Sequence, residues 1–176
     1  MATGIPRLPR AEAGEDMLDG PTLVRALLAC DVTHVVWLPD SHLGQWENAL
    51  RSEPRLQLLR VAREGEAIAL AGGLLLGGKR PVVAIQCTGL FEAGDALRNM
   101  IHDLKLPLFM LIGVRSHLAY QRGQSNDTCP VFTVPILNAW QLPHVWLAES
   151  ATADDLAALH RRAETSGKPL AVLLSE

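Results

Sequence analysis

From Pro21 onward the chain alternates between segments whose apolar residues recur at helical spacing and short runs that are apolar throughout. Pro21 suits the first turn of a helix, and Leu23, Ala26, Leu27 and Cys30 then fall on one face of it. Val32 to Leu38 is β-branched and aromatic and is closed by Pro39, which predicts a buried strand. Leu43, Trp46 and Leu50 recur every three or four residues, predicting a helix from His42 to Arg51, and Leu56 to Val61 reads as the next strand. Glu64 to Leu76 is rich in Ala, Leu and Ile and stops at Gly77-Gly78, a helix with a glycine C-terminus. Pro81 to Gln86 predicts a strand and Leu90 to Leu104 an amphipathic helix. Leu106 to Gly113 is a further strand, almost wholly apolar, as when both faces are covered.

The alternation then lapses. Arg115 to Pro130 is polar and reads as one long loop, a length usually reserved for function. Val134 to Gln141 predicts a short helix and His144 to Leu147 a strand. Thr152 caps the next helix, with Asp154 and Asp155 in its first turn and Gly167 just past its end, and Leu170 to Leu174 is the last strand. Six apolar strands separated by helices predict an α/β fold of three αβα layers, with a mostly parallel, doubly wound sheet. Residues 20–176 make a single domain in this reading, and residues 1–19 an N-terminal arm.

Composition narrows the function. Hydrophobic residues make up 48% and charged residues 20%, enough for a large core. With 16 Lys+Arg against 19 Asp+Glu the net charge is −3, which gives no electrostatic footprint for nucleic acid. Three cysteines without a CxxC pattern exclude a zinc ribbon or disulfide framework. No apolar run of membrane-spanning length or signal peptide is visible, so a cytoplasmic protein is expected. The six histidines show no metal-ligand spacing, and there is no GxGxxG, Walker A or GxSxG motif.

In open α/β sheets ligands bind beyond the carboxyl ends of the strands. The segments to inspect are Pro39-Asp40-Ser41-His42, Arg63-Glu64-Gly65-Glu66, Gln86-Cys87-Thr88-Gly89 and Gly113-Val114-Arg115-Ser116. At the second, a carboxylate stands where an apolar strand becomes an apolar helix. On its own chemistry Glu64 is either a charge complementing the helix dipole or a site residue, and Glu66 complements the dipole. Arg115 is suited to a substrate carboxylate or to a surface ion pair. Cys87 reads as a small buried hydrophobe.

These stretches resemble the pyrimidine-binding (PYR) domain of thiamine diphosphate enzymes, in particular phosphonopyruvate decarboxylases and the alpha subunits of sulfopyruvate decarboxylases. The resemblance rests on Glu64 to Gly72, Gly78-Lys79-Arg80-Pro81-Val82-Val83, Pro39-Asp40-Ser41, Gln86-Cys87-Thr88-Gly89-Leu90, Leu111 to Arg115 and Gly167 to Val172. It implies that Glu64 hydrogen-bonds N1′ of the cofactor's aminopyrimidine and favours the imino tautomer, which removes the proton from the thiazolium C2. It also implies that Gln86, Thr88, Gly89 and Leu90 lie beside thiamine diphosphate, with Pro39, Asp40, Ser41 and Arg115 toward a 2-oxo acid substrate. The family's Gly-Asp-Gly motif for diphosphate and Mg2+ is missing, so the resemblance implies a separate diphosphate-binding beta subunit in a symmetric hetero-oligomer, with this chain silent alone.

Departures from the family pattern bear on substrate. Phe91, Glu92 and Asp95 replace a small residue and two amides; the two carboxylates either form an acidic entrance that would repel a doubly charged tail or complement the first turns of a helix. Asn126-Asp127-Thr128-Cys129 lacks the family's His. Two further readings keep the fold: a non-catalytic binding or regulatory domain, and a subunit of a thiamine diphosphate-dependent carboligase or transferase.

Overall fold

A computed structural model describes residues 18–176. Six strands form one sheet in the order β2-β1-β3-β4-β6-β5: β1 His34–Trp37, β2 Gln57–Arg60, β3 Pro81–Gln86, β4 Phe109–Val114, β5 His144–Trp146 and β6 Leu170–Ser175. Every pairing is parallel, from His34 against Gln57 and Pro81 to Phe109 against Leu170, so the sheet is wholly rather than mostly parallel. The helices are α1 Gly20–Leu28, α2 Glu47–Ser52, α3 Glu64–Leu76, α4 Cys87–Glu92, α5 Gly94–Leu97, α6 His117–Gln121, α7 Cys129–Ala139 and α8 Ala153–Ser166.

Side chains alternate across each strand, which divides the core in two. Trp37, Val82, Ala84, Leu111, Val172 and Leu174 pack on one side, where Leu23, Leu50 and Leu156 bring in α1, α2 and α8. Val36, Val83, Ile85, Met110, Ile112 and Leu173 pack on the other, against Ile68 of α3, Leu90 of α4, Leu97 of α5 and Leu137 of α7. This is the expected three-layer arrangement.

Local signals explain the helix ends. The Asp19 carboxylate accepts the Thr22 N–H at 2.6 Å ahead of Pro21, starting α1. The arm expected over residues 1–19 lies outside the described residues except for Leu18, which is buried, and this capping Asp19. Thr152 and Asp155 form a reciprocal capping box at α8, and Gly167 closes it in the left-handed conformation at φ 62°.

Three expectations need correction. The segment Arg115 to Pro130 is not all loop, because it holds the short helix α6. The helix expected from Val134 begins earlier, at Cys129, because Pro130 occupies its first turn and Asp127 accepts the Cys129 N–H. The helix expected over Leu90 to Leu104 begins at Cys87, breaks at Ala93 and ends in a π-helical turn over Arg98–Asp103.

Candidate active site

The chain leaves β1 toward β2 on one side of the sheet and returns to β3 on the other. The connections after these strands therefore part toward opposite faces, α2 packing on one and α4 on the other. The crevice between the carboxyl ends of β1 and β3 is the switch point at which such sheets bind ligands.

Glu64 is the first residue of α3, after Arg63 in extended conformation at φ −146°. The Glu66 carboxylate turns back to accept the Ala62 N–H at 3.0 Å, leaving Glu64 out of the helix capping. The Glu64 carboxyl group lies against Gly89 of α4, where a Cβ would overlap its Cγ, Cδ and Oε1. Among the described residues nothing hydrogen-bonds this carboxylate, although it is half-buried. A half-buried carboxylate without a partner is open to an external donor such as a ring N–H. The residues here thus fit an aminopyrimidine: an unpartnered carboxylate acceptor, seated in the space that the missing side chain of Gly89 leaves for it.

A second group of polar residues is joined by hydrogen bonds. Asp40, after β1, accepts the N–H groups of His42 and Leu43 on Oδ1 at 2.9 and 2.8 Å. Its Oδ2 accepts from Nε2 of Gln86, the last residue of β3. Gln86 Oε1 accepts the Thr88 hydroxyl at 3.0 Å. Of the residues expected to face substrate, Asp40 is thus fixed within this network, Pro39 is half-buried before it and Ser41 is exposed after it. Arg115 stands apart, its Nε donating to Asp127 Oδ2 at 2.8 Å.

The carboxylates of the acidic entrance are paired. Glu92 forms an ion pair with Arg63 and accepts the Gly65 N–H at 3.2 Å, and Arg63 first, then Gly65, holds its carboxyl below the usual range. Asp95 pairs with Arg98 at 2.9 Å. Glu92 thus ties α4 to the start of α3, and Asp95 pairs with the residue three positions on.

Two residues that sequence reasoning passed over matter here. Asp127 gathers the Cys129 N–H at 2.9 Å, the Ser116 hydroxyl at 3.1 Å and Arg115, and is pulled down to about 2, chiefly by the Cys129 N–H. Glu176 follows β6 and is 9% exposed, with Oε2 3.4 Å from Gln86 Nε2 and Oε1 unpartnered. Burial first, and the nearby Asp40 second, push its carboxyl up to about 8. Its sequence signal was position alone, a carboxylate at the end of an apolar strand.

A cleft of about 400 Å³ lined by Pro143, His144 and Lys168 lies at the amino ends of β5 and β6, away from the switch point. Among the described residues no group of three His, Cys, Asp or Glu side chains is placed to hold a metal ion, and no helix is long and apolar enough to cross a membrane.

With the site in view, the comparison with known proteins is direct. Residues 20–131 match the thiamine pyrophosphate enzyme, N-terminal TPP binding domain, and the chain belongs to this family. It is similar to a phosphonopyruvate decarboxylase of Streptomyces viridochromogenes, with 33% identity over 95 residues. That match covers 54% of this chain and 24% of the relative, so the chain spans about a quarter of its length. A phosphonopyruvate decarboxylase of Streptomyces hygroscopicus matches at 30% identity over 95 residues, again 54% of this chain and 24% of the relative. The sulfopyruvate decarboxylase subunit alpha of Methanococcus maripaludis is 29% identical over 120 residues, 68% of this chain and 71% of that subunit. The chain is a pyrimidine-binding domain of the thiamine diphosphate enzymes, with decarboxylases as its relatives.

Proposed function

We propose that this chain is the alpha subunit of a two-chain, thiamine diphosphate-dependent 2-oxo acid decarboxylase in which Glu64 activates the cofactor. The observation that carries the reading is the Glu64 carboxylate at the start of α3, set against side-chain-free Gly89 and unpartnered among the described residues. When bound, thiamine diphosphate supplies an acidic C–H whose carbon becomes the nucleophile, and an electron sink as carbon dioxide leaves. Glu64 would hold a proton between its Oε and the ring nitrogen. Ala67 and Ile68, both fully buried, withdraw water from its flank and strengthen that bond. Gly89 and Leu90 would form the wall under the ring, and Gln86 and Thr88 the polar edge. Pro39, Asp40 and Ser41 border the place left for the 2-oxo acid, with Arg115 further out.

The partner is argued from what this chain lacks and what it exposes. The residues of this chain carry no Gly-Asp-Gly motif for diphosphate, and we assign diphosphate and Mg2+ to a second chain. The relative from Methanococcus maripaludis is itself named as a subunit. Ala69, Leu70, Gly73 and Leu76 of α3 are exposed, and no charge occurs between Glu66 and Lys79. That apolar stripe, which runs from the second turn of α3 to its carboxyl end, is a surface for the partner.

The test is purification with co-eluting proteins identified by mass spectrometry, followed by 2-oxo acid assays of the reconstituted pair. The expected result is a second chain carrying Gly-Asp-Gly, thiamine diphosphate-dependent carbon dioxide release, and loss of turnover in Glu64→Gln. An aldehyde acceptor added to the same assay separates decarboxylation from carboligation. Near-normal turnover in Glu64→Gln would overturn the assignment, as would a stable homo-oligomer that never responds to the cofactor.

A further inference from the structure

Gln86 spends both hydrogens of its side-chain amide on carboxyl groups. One goes to Asp40 Oδ2 and the other, at 3.4 Å, to Glu176 Oε2. Its carbonyl is taken by the Thr88 hydroxyl, which fixes the orientation of the amide. Two anions on one amide repel each other, which favours the neutral form of the more deeply buried carboxyl group. Asp40 is equipped for the negative charge, with two main-chain N–H donors on its other oxygen and partial exposure. Glu176 has the opposite surroundings. It is more than nine-tenths buried, and its Oε1 lies over the Gly113 backbone, in space that any side chain at Gly113 would fill, without an acceptor or donor.

We propose that Glu176 is a positioning residue of the active site, held as the neutral acid so that Gln86 can fix the Asp40 carboxylate at the β1–β3 crevice. The inference rests on the reading of that crevice as the 2-oxo acid site. Its chemistry is electrostatic. With Glu176 neutral, the Gln86 amide is polarised mainly by Asp40 and holds it toward the crevice. With Glu176 ionised, the buried anion repels the Asp40 carboxylate and pulls harder on its own amide hydrogen, and Asp40 moves out of register.

The groups facing Glu176 agree with this assignment. Asp40 comes from the connection after β1 and Arg115 from the end of β4, one negative and one positive. Cys87 at the start of α4 is a buried thiol whose burial holds it in the neutral form. The main-chain oxygen of Glu176 is occupied by the Leu118 N–H at 3.1 Å, so it does not compete for the Gln86 amide. Burial outweighs the exposed Arg115, and the Glu176 proton is retained up to about pH 8.

The experiment follows the Gln86 side-chain amide by NMR through a pH titration of the full chain, without cofactor or partner. The signal is assigned by its absence in Gln86→Leu. In the wild-type chain the amide signals shift in a single step centred near pH 8. Glu176→Gln, which keeps an acceptor for Gln86 and cannot ionise, abolishes that step. An amide with no step near pH 8, or one that persists in Glu176→Gln, overturns the proposal.

Activity of the reconstituted pair supplies the second readout. The wild-type KM for the 2-oxo acid rises several-fold across the same step, while Glu176→Gln holds it constant and Glu176→Ala raises it at every pH. A purely structural Glu176 would give parallel wild-type and Glu176→Gln profiles, which also overturns the proposal. Absence of turnover in any pair would count against the decarboxylase reading and leave the amide titration as the deciding measurement.

Discussion

Gly89 and Glu64 share one volume: the carboxyl group of the second fills the space a side chain on the first would need. The obstruction would be a half-buried side chain, not backbone. Gly89→Ala is therefore expected to cost only about 1 kcal/mol of stability, in the range of ordinary substitutions. It should nonetheless move Glu64 and lower turnover of the reconstituted enzyme at least tenfold. Thermal unfolding and steady-state kinetics of the same preparation check both parts.

Glu64→Gln tests the same pair from the other side. The amide keeps the shape and loses the carboxylate, so the fold should be unchanged while turnover falls by about 100-fold or more, the scale of a lost acid–base group. Cofactor affinity, measured by titration calorimetry, should fall far less than turnover.

Asp127 ties the polar segment after β4 together, and its carboxyl lies below the ordinary value because its partners favour the anion. A depressed carboxyl contributes stability that is complete above the unfolded value and disappears as pH falls toward about 2. Asp127→Asn is expected to lose about 1–2 kcal/mol at neutral pH after allowance for solvent screening. The loss should shrink in acid, and denaturant melts at pH 7 and pH 3 would measure the difference.

Glu176 gives the opposite slope. Between the ordinary carboxyl range and about pH 8 the folded chain holds a proton that the unfolded chain releases, so stability falls as pH rises through that window. One proton sets the slope at no more than about 1.4 kcal/mol per pH unit. Glu176→Gln should flatten this segment of the stability profile and be the more stable protein above pH 8.

Trp46 is buried beside α2, and its indole N–H donates to the Leu18 carbonyl at 2.6 Å. Trp46→Phe leaves that carbonyl unpaired, for an expected loss of about 1–3 kcal/mol from the lost bond alone. Chemical denaturation monitored by circular dichroism would read it.

Alternating apolar strands made the sheet legible, because a strand buried on both faces has no polar residue to confuse the pattern. The start of α3 and the cap of α8 were legible from the residues at each position, and Pro21 marked the first turn of α1, whereas its cap, Asp19, went unread. The region after β4 was not. Its α6 is only five residues long, and the first residues of the region are organised by Asp127, a contact across twelve positions that no local period encodes. The break in the helix after β3 was hidden for a similar reason, since Gly94 packs so closely on Trp140 that a Cβ would come within 2.9 Å of the ring. The candidate site divides along the same line. Glu64, Gln86 and Asp40 sit at strand ends where position alone marks them, whereas the pairing of Glu92 with Arg63 depends on α3 and α4 lying side by side.

The sheet order carries a consequence for how the molecule is assembled. β5 has a single neighbour, β6, and β6 lies between β5 and β4 although it follows both in the chain. Until residues 170–175 arrive, β5 has no ladder to join and β4 presents an open edge. The segment synthesised later therefore acts as a wedge that completes two strands at once, a non-local step that comes late and slowly. Clipping the chain just before Leu170 would leave β5 without its one ladder partner and would part Glu176 from Gln86, so one cut reaches both the sheet edge and the β1–β3 crevice.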